Sequence, residues 1–238
     1  MIVACDASQL EWRTVLELSQ DKVGIEEVLE GQDTHALNRV AFELPSRLIA
    51  KIYLFRTIFR GSGWSFANDP DFSHVSSSVD YWDNINEKFF SKYNGIDRQH
   101  KLWAQEVMAG RPLEGPLGRK WLIPLKRDKR GEIKIPWTTL TNYPVQGTGA
   151  DVVALARISF YNKVKKYKLP VKLIQTVHDD IKTDAPEKYV QDVVDLYHES
   201  FQGLQKNIKK IFGYDWIVPL KCECKVGMNM KDMKSYNK

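Results

Sequence analysis

The spacing of apolar side chains changes period several times along this chain, and each change predicts an element. Ile2-Val3-Ala4-Cys5 is an apolar run that stops on Asp6 and reads as a strand. Leu10, Val15, Leu16 and Leu18 then recur among polar residues from Ser8 to Ser19, so a helix is expected immediately beyond the aspartate. Asp33 stands as the N-cap of a helix holding His35, Leu37, Val40 and Ala41. A further helix is predicted from about Ser46 to Phe59, broken by Gly61-Ser62-Gly63. Val79, Trp82, Ile85 and Phe89 keep helical spacing behind caps at Ser76 to Ser78, and another helix runs from about Ile96 to Ala109 before Gly110.

The second half begins with a loop punctuated by Pro112, Gly115, Pro116 and Gly118, leading to a short strand, Trp121-Leu122-Ile123. Lys126 to Arg130 reads as an exposed basic loop, either a solvated turn or a contact to a nucleic-acid backbone. Asn142-Tyr143-Pro144-Val145-Gln146-Gly147 opens a helix with Val152, Val153, Ala156, Phe160 and Val164 on its apolar faces and lysines at its end. After Pro170 comes a β-branched strand, Leu173 to Val177, that runs into Asp179-Asp180, and a second short strand leaves on the far side. Pro186 begins a helix reaching at least Phe201, Leu220 to Val226 alternates as a strand, and Lys231 to Lys238 reads as a polar, frayed tail.

Two places carry candidate chemistry. Adjacent acids at a hairpin tip repel unless a positive charge lies beside them, so Asp179-Asp180 is either a divalent-metal site or a solvated turn. If the two apolar strands lie side by side, Asp6 comes near Asp179, as a two-metal site requires. Arg47, Lys51, Phe55 and Phe59 stand at four-residue intervals, a stripe that drifts by about 40° per step on a helix. It is either a partly buried face whose basic stems snorkel, or a strip that grips a triphosphate and packs a base.

A chain of 238 residues with 43% hydrophobic content can bury a sizeable core. Its 35 Lys and Arg against 30 Asp and Glu give a net charge of +5, mild support for a polyanionic partner. Three cysteines, Cys5, Cys222 and Cys224, are an odd number and do not resemble a disulfide framework, so a reducing compartment is expected. No run approaches the ~18 apolar residues of a membrane span and no signal peptide is evident, so no membrane partner and a cytoplasmic location are expected.

The order of these motifs resembles the polymerase half of family A DNA polymerases. Asp6-Ala7-Ser8-Gln9-Leu10-Glu11-Trp12-Arg13 is similar to the family's motif A, and Arg47, Lys51, Phe55 and Phe59 to motif B on a fingers helix. Val177-His178-Asp179-Asp180 resembles motif C, and Asn142 with Gln146 resembles the segment ahead of it. The resemblance implies an α+β fold. An antiparallel-sheet palm carrying the catalytic carboxylates would take residues 1–21 and 119–238, and a mostly helical fingers subdomain would take 22–118. It further implies a template-dependent DNA polymerase that adds dNTPs to a primer 3′-hydroxyl by two-metal phosphoryl transfer, releasing pyrophosphate. Asp6, Asp179, Asp180 and Lys51 would be catalytic, with Asp6, Asp179 and the Ala7 carbonyl holding two Mg²⁺, for which Mn²⁺ could substitute. Arg47, Lys51, His35, Gln9, Phe55 and Glu11 would bind the nucleotide, Glu11 by filling the space of a ribose 2′-hydroxyl. Arg13, Phe59, Asn142, Gln146 and His178 would contact primer-template DNA.

Several positions depart from the pattern. Ala7 replaces a frequent tyrosine, Asp180 a usual glutamate, and Phe59 a tyrosine whose hydroxyl bonds the residue equivalent to Glu11. Arg56 and Arg60 stand where small residues are common and are expected to add positive charge near the template path. The family's thumb and exonuclease domain, which precede motif A, are expected to be absent, with a second polypeptide supplying the thumb, the first palm strands and possibly 3′–5′ exonuclease. Strand Ile2 to Cys5 is expected to need such neighbours. A phage-encoded split polymerase working in the host cytoplasm fits that pattern. The competing readings are a catalytically silent DNA- or partner-binding subunit and a single-subunit RNA polymerase relative, against which Glu11 argues.

Overall fold

The structure, a computed structural model, describes residues 1–236; residues 237 and 238 of the expected frayed tail lie outside the described residues. It packs as two compact units, residues 1–10 with 148–238, and residues 11–147.

The first unit is built on a five-stranded antiparallel sheet. Its strands are β1 (Ile2–Ala7), β2 (Lys172–Val177), β3 (Asp180–Asp184), β4 (Cys222–Gly227) and β5 (Lys234–Ser235), in spatial order β2-β3-β1-β4-β5. The pleat sends Val3, Cys5 and Ala7 of the central strand to one face, where all are buried, and Ile2, Ala4 and Asp6 to the other. Helix Val190–Gln202 covers the first face, and its buried Tyr197 donates to the Ile181 carbonyl at 3.4 Å and stacks on Phe160 with ring centroids 4.0 Å apart. A shorter helix, Leu204–Phe212, follows where the sequence pattern stopped at Phe201.

Both edges of β1 are paired within the chain: Cys5 lies opposite Ile181 on β3 and Cys224 on β4. The expectation that this strand needs neighbours from elsewhere is therefore corrected. Among the described residues the edge strands are β2, whose Ile174 and Val177 are 43% and 39% exposed, and the two-residue β5.

The second unit is mostly helical: α1 (Leu10–Ser19), α2 (Lys22–Leu29), α3 (Thr34–Ala41), α4 (Arg47–Thr57), α5 (Gly63–Ala67), α6 (Pro70–Ser73), α7 (Val79–Lys92) and α8 (Asn94–Met108). Short polar residues start most of them. Asp21, Asp33, Ser46, Ser62, Asp69 and Ser78 each accept a hydrogen bond from a first-turn N–H. The core beneath α4 is aromatic: Tyr53 on its buried face stacks on Trp82, and Phe66 and Phe72 pack against that indole at 5.4 and 5.3 Å.

Helix α4 stops at Thr57, so Phe59 lies in the terminating turn rather than on the helical stripe. Arg60 takes a left-handed φ of 61° there, and Gly61 N–H closes the turn on the Arg56 carbonyl at 3.0 Å. Nor do Arg56 and Arg60 add free charge. Arg56 pairs with Asp69, while Arg60 pairs with Asp97 at 2.6 Å, lies 4.1 Å over the Phe90 ring and donates from Nε to His100 Nδ1 at 3.0 Å.

That last bond fixes His100 as a neutral imidazole with its proton on Nε2, a buried atom without a partner. Burial, and then the Arg60 charge, push its pKa down to about 3. An unfolded histidine titrates near ~6.5. Between those values only the unfolded chain takes up the proton, so stability falls as pH falls. Going from pH 7 to 5 is expected to cost about 2 kcal/mol through this group. In urea titrations His100→Gln should remove that part of the pH dependence, and an unchanged dependence would refute the assignment.

Residues 113–134 form two small ribbons, Leu113–Glu114 with Lys120–Trp121 and Lys126–Arg127 with Ile133–Lys134. The expected strand at 121–123 is thus confined to Lys120–Trp121, and the basic stretch is a hairpin. Helix α9 (Trp137–Lys166) begins five residues before Asn142 and carries Pro144 in its interior. Proline favours a first turn, which is why the sequence pattern placed the start too late.

Candidate active site

The carboxylates gather at one end of the sheet. β1 delivers Asp6 opposite Asp180 of β3 and opposite Glu223 of β4, so three acidic side chains leave the same face in one row. Asp179 occupies the two-residue loop joining β2 to β3, and its carbonyl accepts the Ala7 N–H at 3.2 Å. The other loop residue, His178, has a φ of 54°, the positive value that a two-residue hairpin of this hand needs at its first position. His178 is exposed at the tip.

The electrostatics follow from that crowding. Burial first, then the charges of Asp179 and Asp180, raise the Asp6 pKa from its ordinary value to about 6, while Lys225 opposes the shift. Asp180 ion-pairs through Oδ2 with Lys182, yet its Oδ1 is buried without a partner. An all-oxygen donor set with repelling carboxylates and an orphaned oxygen fits a hard divalent cation such as Mg²⁺. Asp6, Asp179 and the Ala7 carbonyl are the atoms that could hold it. Glu223, Lys182 and Lys225 were not singled out from the sequence. They read as ordinary outward positions of strands, and only the pairing register brings Glu223 to this row and the two lysines, opposite Ala4, to the next one on the same face.

The second unit carries the other set. Arg47 and Lys51 are exposed and Phe55 is half-buried, while Ile49, Ala50, Tyr53, Leu54 and Thr57 form the inner face of α4. The stripe is therefore an open face, not a row of snorkelling stems. Arg47 donates from Nε to Asp33 at 2.7 Å, and Asp33 also caps α3 by accepting from His35 and Ala36 N–H. That bond from Arg47 holds the Asp33 carboxyl below its ordinary pKa. Lys51 makes no hydrogen bond or ion pair among the described residues. His35 is only 3% exposed, with Nδ1 buried and unpartnered. Burial, then Arg47, lowers its pKa, so the ring is neutral.

Glu11, at the start of α1, accepts from the Gln146 side-chain amide at 3.5 Å. Gln146 thus gives Glu11 a side-chain donor, which Phe59, lacking a hydroxyl, does not. Asn142 sits one turn before Gln146 on that helix, half-buried, and Arg13 is buried at 8% exposure. A Cβ added at Gly147 would meet the Trp121 ring at 2.7 Å, so the backbone there must come close to an indole. Gln9, in the first unit, takes a left-handed φ of 52° in the turn after β1.

The family model described as DNA polymerase family A matches residues 1–232. The chain belongs to that family. It is 26% identical over 219 residues to DNA polymerase I of Aquifex aeolicus, covering 87% of this chain and 36% of that protein. It is also 24% identical over 240 residues to the thermostable DNA polymerase I of Thermus aquaticus, covering 95% of this chain and 26% of the relative. Among solved structures, the POL domain of Pol1 from M. smegmatis, in complex with DNA primer-template and dNTP, superposes with a TM-score of 0.77 at 21% identity. That match covers 94% of this chain and 38% of the other. The chain therefore spans only about a quarter to two-fifths of the length of these relatives. No helix among the described residues is long and apolar enough to cross a membrane.

Proposed function

We propose that this chain forms the palm and fingers of a template-dependent DNA polymerase, extending a primer 3′-hydroxyl with dNTPs and releasing pyrophosphate. The observation that carries the reading is the row of Asp6, Asp180 and Glu223 with Asp179 in the adjoining loop, where burial and then the neighbouring negative charge raise Asp6 to about 6. Asp6, Asp179 and the Ala7 carbonyl would hold two Mg²⁺, or Mn²⁺ in their place, and Asp180 would stand beside them. Such ions, when bound, lower the pKa of an attacking hydroxyl and neutralise charge on phosphates.

The remaining roles fall to side chains. Arg47 leaves its exposed pairing with Asp33 for a phosphate, a small loss because surface pairs contribute little. Lys51, which has nothing to release, binds the same group and donates a proton to the departing pyrophosphate. His35, neutral, offers a hydrogen bond rather than a charge. Phe55 packs against the sugar and base. Glu11, steadied by Gln146, blocks a 2′-hydroxyl. Gln9 adds a further nucleotide contact, and Arg13, Phe59, Asn142, Gln146 and His178 complete the set toward the primer-template DNA.

The bare edge of β2, with Ile174 and Val177 half exposed, favours additional palm strands pairing there. We place those strands, and a thumb, in a second polypeptide or in further sequence of the same protein, working in the cytoplasm. Extension of a primed template with dNTPs against NTPs tests the reading, run with the chain alone and with its cellular partner. Wild type should prefer dNTPs, and Glu11→Ala should narrow that preference by on the order of 100-fold. A wild-type preference for NTPs would overturn DNA synthesis, and full activity of an isolated monomer would remove the partner.

A further inference from the structure

The face of the sheet opposite the carboxylates holds a cluster that polymerisation does not use. Cys5, Cys222 and Cys224 are free thiols, 0%, 5% and 4% exposed, with Sγ atoms all within 4.8 Å of one another. Register puts them there. Cys224 lies directly opposite Cys5, and Cys222 follows two residues away on the same face of β4. From helix Val190–Gln202, His198 brings Nδ1 to 3.7 Å from Cys222 Sγ.

Buried cysteines are often plain apolar filling, and three of them alone would not argue otherwise. The imidazole changes that. Two ligands of one tetrahedral zinc, at the usual Zn–S and Zn–N lengths, lie roughly 3.6 to 3.8 Å apart. The Cys222–His198 spacing already has that value, while Cys5 and Cys224, within 4.8 Å of Cys222, and the imidazole must close around the ion to reach it elsewhere. A route inward exists, because a cavity of 700 Å³ opens beside the cluster, lined by Asp195, His198, Glu199 and Gln202 of the helix and by Cys222 and Cys224.

We propose that Cys5, Cys222, Cys224 and His198 form a structural zinc site that pins β1 and β4 to the covering helix directly behind Asp6. Binding expels the thiol protons, leaving three thiolates and one neutral imidazole on the ion. Thiolate softness keeps Mg²⁺ out, and the carboxylate face, all oxygen, keeps its preference for hard cations, so one sheet sorts two metals to its two sides. The proposal stands independently of nucleotide addition.

The test is elemental analysis of the chain purified without chelator, followed by cobalt titration of the zinc-stripped protein. One zinc per chain is expected, and cobalt should develop thiolate charge-transfer absorption and tetrahedral visible bands that saturate at one equivalent. His198→Ala, at a half-exposed helix position that spares the fold, should weaken zinc binding by at least about 10-fold and alter the cobalt bands. Cys222→Ser should abolish stoichiometric binding. A folded chain with neither stoichiometric zinc nor cobalt–thiolate absorption overturns the site, and unchanged bands in His198→Ala overturn the fourth ligand. Neither readout involves DNA or nucleotide, so failure here leaves the polymerase reading standing.

Discussion

If the proposed polymerase reading holds, Asp6→Asn is expected to slow single-nucleotide extension of a primed template by on the order of 10³-fold, measured in the protein as it assembles with any natural partner. The change keeps the side chain's size and removes one charge from the centre of the acidic row, where β1 holds it between Asp180 and Glu223. A metal ligand of this kind contributes several kcal/mol of charge stabilisation, and about 4 kcal/mol corresponds to that rate. Binding of primer-template should change little, since Asp6 repels rather than attracts a phosphate backbone. Normal extension by the variant would retire the carboxylates as the reacting centre.

Trp82→Ala carries the largest expected loss of stability, about 3–5 kcal/mol by denaturant titration. The indole is fully buried, packs against Tyr53, Phe66 and Phe72, and donates from Nε1 to the Ser76 carbonyl at 2.8 Å. Tyr53 is the inner face of α4, so the cavity would open directly under the helix that presents Arg47 and Lys51. Trp82→Phe should cost less, because most of the ring remains while the hydrogen bond is lost, a term of about 1 kcal/mol. A loss below about 1 kcal/mol for the alanine variant would mean that the aromatic core repacks, contrary to its close ring contacts.

How legible these features were depends on whether local or cross-strand geometry decides them. Caps at Asp33, Ser46 and Ser78, the strand that stops on Asp6 and the hairpin ending in Asp179-Asp180 could all be read, because each is a short-range pattern of propensity and period. The mixed fold with an antiparallel sheet came instead from the order of the motifs, through their resemblance to a known family. Helix limits were harder. Pro144 suggested a start that α9 passes straight through, and the left-handed Arg60 ends α4 without any glycine at that position to mark it. Glu223, Lys225 and the thiol cluster were out of reach for a different reason: which β4 residue faces Cys5 is a matter of register, and register is absent from a single strand's sequence. The partner of Arg47 was likewise hidden, since Asp33 reads as a helix cap and nothing local says that it also takes a guanidinium.

The alternation along β1 has a consequence for how this protein can change. Cys5 and Asp6 are chain neighbours whose side chains leave opposite surfaces, so deleting one residue within the strand would carry sulfur into the acidic row and an acid among the buried thiols. Substitutions there can be accepted singly, but frame-preserving insertions or deletions of one residue would exchange the two chemistries at a stroke. The length of this strand should therefore be its most resistant property over evolutionary time, more so than the identity of any apolar residue in it.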